Sequence, residues 1–190
     1  MIAKALQFTR NSLNQFIKNK FGLSDDIVVV NKIIDQNGSV PLENQNKVVI
    51  SLIHLDQETV KPFYNKQKMV QGGNYENKPL GERYNLYLLI SPNFDDYNET
   101  LKFLNASVQF FQINGMLDAS SFSDMPKGIT RIEFEFEKGD SYLQMHNLWS
   151  ALGAKYQPSA IYKMKLISIT SDEVKGFNTA ISTTVNLDQQ

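Results

Sequence analysis

Residues 141–169 read SYLQMHNLWSALGAKYQPSAIYKMKLISI, and this stretch decides the fold. Ser141 and Gln144 form a Ser-x-x-Gln capping box, which satisfies two otherwise unpaired backbone donors at a helix start. Met145, Leu148 and Leu152 then share one helical face, with Trp149 beside them. Gly153 stands where a left-handed residue closes a helix, and Pro158 forbids the helix from resuming. From Ile161 to Ile169 the chain is rich in β-branched and aliphatic residues and predicts a strand. A helix, a break and a closing strand result, and the rest of the chain must give them a surface to pack on.

Upstream, Ile129–Glu137 alternates, with Ile132, Phe134 and Phe136 expected inward and Glu133, Glu135 and Glu137 outward. Before it, Tyr97, Leu101, Leu104, Val108 and Phe111 recur at spacings of four and three, which predicts an amphipathic helix stopped by Asn114-Gly115. Ser91-Pro92-Asn93 is read as its opening, with Asp95 and Asp96 in the first turn, where the helix dipole favours acids. Lys47–Leu55 is apolar on both faces, Val48, Ile50 and Leu52 on one and Val49, Ile53 and Leu55 on the other. That pattern predicts a central strand covered on both sides, and Tyr84–Ile90 reads alike. The long connection between them, residues 57–82, carries Pro62, Gly72-Gly73, Pro79 and Gly81 and is expected to project as a functional loop. At the start, Ile2, Leu6, Leu13, Phe16 and Ile17 predict a helix over 2–20 ended by Gly22. Ile27–Val30 is a short strand, and the segment around Asn37-Gly38 and Pro41 is a loop.

The order α-β-β-β-α-β-α-β predicts an α/β (α+β) single domain over residues 1–170. Its sheet is mixed and mainly antiparallel, with helices packed against it. Residues 171–190 read as a polar tail. At 190 residues the chain is long enough to bury a real core. Its net charge of −1 argues against a nucleic-acid partner, which would call for a clustered basic face. With no cysteine, disulfides, thiolate metal sites and cysteine nucleophiles are excluded together. Arg10 and Lys18 interrupt the N-terminal apolar residues, so no signal peptide is read there. No run approaches the ~18 apolar residues of a spanning helix, so no direct membrane insertion is expected.

A search for chemistry returns little. His54 and His146 lack partners at metal or catalytic spacing and read as a sheet-end and a surface histidine. Glu133, Glu135 and Glu137 repeat at about 6–7 Å along one strand face. Acid–base work would need one of them desolvated, and with Arg131 and Lys138 alongside they read as a solvated face, open to a basic neighbour in an assembly. No phosphate-binding glycine loop or nucleophile elbow is present. Trp149, Phe110, Phe111, Tyr142, Tyr156 and Tyr162 have no interleaved basic residues and read as core rather than base-stacking groups. No catalytic, metal or cofactor-binding residue is assigned, and an enzyme is not expected.

Four stretches taken in order carry a resemblance: MIAKALQFTRNSLNQFI, VVISLIHL, YNLYLLISPNFDDYNETLKFLNASVQFFQ and LWSALGAKYQPSAIYKMKLISI. Together they resemble the cap, or tail-terminator, proteins of contractile injection systems of the antifeeding-prophage and virulence-cassette type, over residues 1–170. The most specific part is Leu-Trp-x-x-Leu-Gly followed by Pro-Ser-x-x-Tyr. The matching residues Leu148, Trp149, Leu152, Gly153, Pro158, Ser159 and Tyr162 are read as fold determinants.

The resemblance implies a fold similar to that of phage tail terminators. It implies a structural cap that forms a hexameric ring at the baseplate-distal end of a phage-tail-like particle and ends polymerisation of inner tube and sheath. Partners would be further copies of the chain and the sheath and tube proteins of the last layer, with no cofactor. Assembly would take place in the bacterial cytoplasm, and the finished particle would be extracellular or membrane-anchored. The ring would close heterologously, one face of a subunit meeting a different face of the next. Expected assembly contacts are the Glu133, Glu135 and Glu137 face, and a tail arm bearing Val174, Phe177, Ile181 and Val185 that adds to a neighbour's sheet. The 57–82 loop is expected at a tube or neighbour contact. Rival readings are another ring-forming tail-completion or baseplate adaptor, or a stand-alone ligand-binding α/β domain with a deep pocket.

Overall fold

The first helix, α1 (Ile2–Phe21), buries Ala5, Leu6, Phe8, Thr9, Leu13, Asn14 and Ile17 along one face. Gly22 follows at φ +65°, and Leu23 N–H bonds to Lys18 C=O, which satisfies a terminal carbonyl. The computed structural model describes residues 2–57, 67–69, 74–77, 84–129, 131–138, 142–167 and 177–179. After α1 come β1 (Val28–Val30), a 3₁₀ turn at Leu42–Asn44, β2 (Lys47–Gln57), β3 (Gln67–Met69), β4 (Asn74–Asn77) and β5 (Tyr84–Asn93). Then follow α2 (Tyr97–Ile113), β6 (Met116–Asp118), β7 (Arg131–Phe136), α3 (Tyr142–Leu152), β8 (Ala160–Ile167) and β9 (Phe177–Thr179).

Six strands form the main sheet in the order β1-β2-β5-β8-β7-β6. Only β1 and β2 run parallel; the other neighbours are antiparallel. The expected mixed, mainly antiparallel sheet is therefore present. Helices α1 and α2 cover one face, with Val48, Ile50, Leu86, Leu88, Ile90, Ile132, Tyr162 and Met164 in that core. On the other face α3 covers one end, where Trp149 packs with Ile33, Val49 and Leu89. A separate three-stranded sheet pairs β4 with β3 on one side and β9 on the other. The 57–82 connection thus contains strand, and one of its strands pairs with Phe177–Thr179 of the C-terminal segment.

Helix α2 keeps part of the expected face, with Phe111 buried and Leu104 and Val108 packed against the core, but is turned away from Tyr97 and Leu101. Phe103, Ala106, Ser107, Phe110 and Phe111 are buried with Thr100, whereas Tyr97 is 61% and Leu101 42% exposed. Two polar residues reach the core because their hydroxyls bond back along the helix. Ser107 Oγ donates to Phe103 C=O at 2.8 Å and Thr100 Oγ1 to Asp96 C=O at 3.2 Å. Phe103 then stacks on Phe94 at 4.6 Å, and Phe111 on Tyr162 at 4.2 Å. Burying each such ring contributes about 1.5–3 kcal/mol, which outweighs leaving Tyr97 and Leu101 in water.

Two further expectations are corrected. Ser91-Pro92-Asn93 belongs to β5, opposite Val49, Val48 and Lys47, and Asp96 is the N-cap of α2, accepting from Asn98 N–H at 2.8 Å. Pro92 is tolerated because β8 ends at Ala160 opposite Ile90, so no donor is needed on that side. A bulge between Leu52 and His54 reverses the parity of β2, so Leu55 lies opposite Leu86 instead of sharing the face of Val49. Phe136 lies on the inward face as expected, opposite Tyr162 and edge-on to its ring at 5.4 Å, and is half exposed because it stands near the end of β7.

The closing unit behaves largely as its sequence suggests. Gly153 has φ +68°, its N–H bonds to Ser150 C=O, and Ala154 N–H bonds to Trp149 C=O. This is a Schellman ending. Ser141 and the Met145 and Gln144 side chains lie outside the described residues.

Candidate functional site

Helix α3 leaves the far end of its sheet face uncovered, and a charged ladder lies there. In register, Glu133 faces Lys165 and Glu135 faces Lys163 across β7 and β8. Lys165 Nζ reaches diagonally to Glu135 Oε2 at 2.8 Å, and Arg131 Nε lies 3.0 Å from Glu133 Oε1, an ion pair too bent to count as a hydrogen bond. The hydrogen bond and charge of Lys165 hold the Glu135 carboxyl below its ordinary value. Lys163 also sits over the Tyr87 ring, 5.7 Å from its centre. Glu137 lies beyond the strand, its N–H bonded to Ile161 C=O. The acidic row read from the sequence is thus matched by a basic row on the closing strand of the same chain.

The two edges of the main sheet differ. At β1, the side chains of α1 take up the backbone of the outer strand. Asn14 Oδ1 accepts from Ile27 N–H at 2.9 Å and Val28 N–H at 3.1 Å, while Arg10 Nε donates to Val28 C=O at 2.8 Å. Asp26 locks both helix residues in place, accepting from Arg10 at 2.7 Å and from Asn14 Nδ2 at 2.8 Å, with Lys18 at 3.3 Å. The hydrogen bonds of Arg10, then Asn14, then Lys18 lower the Asp26 carboxyl to about 2. These bonds occupy backbone groups of Ile27 and Val28 that an added strand would need, which hinders pairing at this edge. At the opposite side β6 has three residues and covers Arg131–Glu133 of β7, with Phe134 N–H reaching Gly115 C=O. Met116, Phe136 and Ile113, the last 71% exposed, leave apolar surface near that end.

A cavity of about 380 Å³ opens where the C-terminal end of α3 meets the 31–44 loop and the sheet. Ile33, Ile34, Val40, Val49 and Trp149 supply its apolar walls. Its polar floor is a relay. Ser91 Oγ donates to Gln157 Oε1 at 3.3 Å, Gln157 Nε2 to Asn93 Oδ1 at 3.0 Å, and Asn93 Nδ2 to Asn44 C=O at 3.1 Å. Asn44 in turn donates to Lys32 C=O and accepts from Asn31 Nδ2. Trp149, 2% exposed, keeps a buried indole N–H without a hydrogen-bond partner, at a cost of about 1–3 kcal/mol.

Of the residues read as fold determinants, Trp149 and Tyr162 are buried, Leu148 and Leu152 pack against the Trp149 cluster, and Gly153 ends α3. Ser159 leads into β8 with a buried hydroxyl that has no partner. Tyr162 lies in the core, where burial pushes its hydroxyl up to about 12. Of the expected arm residues, Phe177 opens β9 opposite Glu76, while Val174, Ile181 and Val185 lie outside the described residues. His54 sits on the outer sheet face with its ring 5.4 Å from Tyr87, and His146 is exposed on α3. Among the described residues no group of three or more His, Asp or Glu side chains is placed to hold a metal. No described helix is long and apolar enough to cross a membrane.

The sequence matches the family described as Pvc16 N-terminal domain over residues 7–183. The chain belongs to this family. Two solved structures share its fold. One is described as the anti-feeding prophage cap, the AFP tube terminating cap, with a TM-score of 0.59 and 13% identity over 93% of this chain. The other is described as the PVC sheath/tube terminator, in extended state, of an extracellular contractile injection system, with a TM-score of 0.53 and 17% identity over 94%. The match spans 58% and 63% of those solved chains, so each is longer than the part shared with this domain. No curated protein sequence matches the chain significantly.

Proposed function

We propose that this chain is the terminator domain of a contractile injection particle, a structural cap that ends growth of the inner tube and sheath. The carrying observation is that nearly the whole chain shares its fold with two such terminators. Membership of the Pvc16 N-terminal domain family supports the same reading. In it the chain acts by fitting other proteins and carries out no catalysis.

Its partners are further copies of itself, closing a six-membered ring by unlike faces, and the tube and sheath subunits of the last layer. The blocked β1 edge suits a terminator, since a cap must hold the layer beneath it without offering a continuing edge. The small sheet formed by β3, β4 and β9 is the proposed site of contact for the 57–82 segment and the C-terminal segment. The Glu133, Glu135 and Glu137 face contributes to the ring or to tube docking. Assembly takes place in the bacterial cytoplasm.

The test is the length distribution of tube–sheath particles by negative-stain electron microscopy, with the gene present and deleted. Missing, overlong or distally ragged particles on deletion are the expected outcome. Particles of unchanged length and end shape overturn the reading.

A further inference from the structure

We propose that residues 181–187 of one copy add as an antiparallel strand to the open edge of β7, at Phe134–Phe136, in a second copy of the chain. Such a link rests on the proposed ring of like copies and names the strand that receives the segment.

The acceptor is an edge left short of a neighbour. Strand β6 pairs with Arg131, Ile132 and Glu133, and Phe134 N–H makes one further bond to Gly115 C=O. Glu137 N–H turns the other way, to Ile161 C=O of β8. Backbone groups alternate sides along a strand, so the N–H and C=O of Phe136 point outward as Phe134 N–H does, and no described strand pairs with them. At the β1 edge, by contrast, Asn14 and Arg10 take up the backbone. The two faces of the open stretch differ. Phe136 is half exposed on the face of Tyr162, and Ile113 is exposed two residues before Gly115. Glu135 is exposed on the opposite face. An added strand must therefore bring apolar side chains on one face, and on the other polar ones without an acid.

Residues 181–187 read ISTTVNL and have that pattern. Ile181, Thr183, Val185 and Leu187 alternate with Ser182, Thr184 and Asn186, and no charged residue stands between Lys175 and Asp188. Strand β4 has no place for them. Thr179 lies opposite Asn74, the first residue of β4, so the register offers no further partner there. The layout of the main sheet favours a second copy over the same chain. The segment bearing β3 and β4 leaves the sheet at Gln57 and returns at Tyr84, level with Leu166 of β8. Phe136 is level with Tyr162, about 13 Å further along β8 toward the other end. The donor is thus tethered toward one end of the sheet and the acceptor lies toward the other, the relation that head-to-tail ring closure needs.

The chain has no cysteine, so introduced thiols pair only with each other. Glu135→Cys protein carrying a mass tag would be mixed in turn with Ser182→Cys, Thr184→Cys, Asn186→Cys and Thr183→Cys proteins under mild oxidation, and disulfide-linked heterodimers measured on non-reducing gels. In an antiparallel addition Glu135 takes a non-hydrogen-bonded position, with Cα atoms ~4.5 Å apart, close enough for a disulfide. At least one of Ser182, Thr184 and Asn186 should give about fivefold more heterodimer than Thr183, whose side chain points to the other face. Comparable yields at Thr183 overturn the proposal, since a loose contact does not depend on parity. Absence of heterodimer at all four sites overturns it too. So does a disulfide that closes within one chain of the Glu135→Cys/Thr184→Cys double variant while the separate variants give none, because the strand then pairs in cis. Sedimentation of the parent keeps the two readings apart: copies that associate without the preferred disulfides leave the ring standing and remove this link.

Discussion

The Glu135 carboxylate meets the Lys165 ammonium of the neighbouring strand at 2.8 Å, at the end of a sheet face that α3 leaves uncovered. Both groups are well exposed, so the pair contributes at most about 1 kcal/mol. Reversing one charge, Glu135→Lys, should lower stability by that order in urea denaturation. The swap Glu135→Lys with Lys165→Glu should restore it. If the swapped protein folds normally yet fails to form rings, the face acts between subunits as well as within one. Normal rings from the swap would confine the ladder to intramolecular work.

Asn14 offers a cleaner edge test. Asn14→Leu leaves the Ile27 and Val28 N–H groups without their acceptor and frees Asp26 from one donor. A loss of about 1–3 kcal/mol is expected from the unsatisfied donors. Concentration-dependent self-association in sedimentation should accompany it, because the opened strand can now pair with another chain. A variant as stable and as monodisperse as the parent would show that the side chain does not guard the edge.

The Asp26 carboxyl also predicts a pH response. Its value in the folded chain is lowered to about 2 by Arg10, Asn14 and Lys18. A depressed acid stabilises the fold above its ordinary value, 3.8, and this support is lost as pH falls toward about 2. Thermal midpoints measured between those limits should drop more steeply for the parent than for Asp26→Asn, which has nothing to protonate there. Parallel slopes would remove Asp26 from the acid response.

Helix α2 separates two readings of one sequence. Phe103→Ala should cost about 3–5 kcal/mol, while Leu101→Ala should cost under about 1 kcal/mol. The reverse order in chemical denaturation would restore the face read from the sequence.

That helix also shows where the sequence ran out. Hydropathy extends the stripe to Tyr97 and Leu101 because it scores Thr100 and Ser107 as polar. It has no means of knowing that both hydroxyls are satisfied inside the helix. Leu55 was misplaced because a single bulge residue changes parity without leaving a mark in composition. Strands β6 and β9, three residues each, are shorter than any alternation can reveal. By contrast α1, the central strands, and the Gly153 ending were legible, since each rests on a repeated or local rule. The charged ladder was half legible. Lys163 and Lys165 alternate on the closing strand as the glutamates do on β7, but pairing the two rows needs the register, which depends on the whole sheet. The pocket was not legible, since its walls come from segments more than a hundred positions apart and meet only when α3 docks.

The pairing of Phe177 with Glu76 joins strands about a hundred residues apart, and this sets an order of events in time. During synthesis the main sheet has all its strands once Ile167 has emerged, while β4 must wait for a partner not yet made. The small sheet is therefore the later of the two sheets to close on a growing chain, where long-range strand pairing is slow. If that sheet is where other subunits grip, the timing gives a natural safeguard. A chain halted before Phe177 would have its core but not its handle, and could not enter an assembly through that sheet.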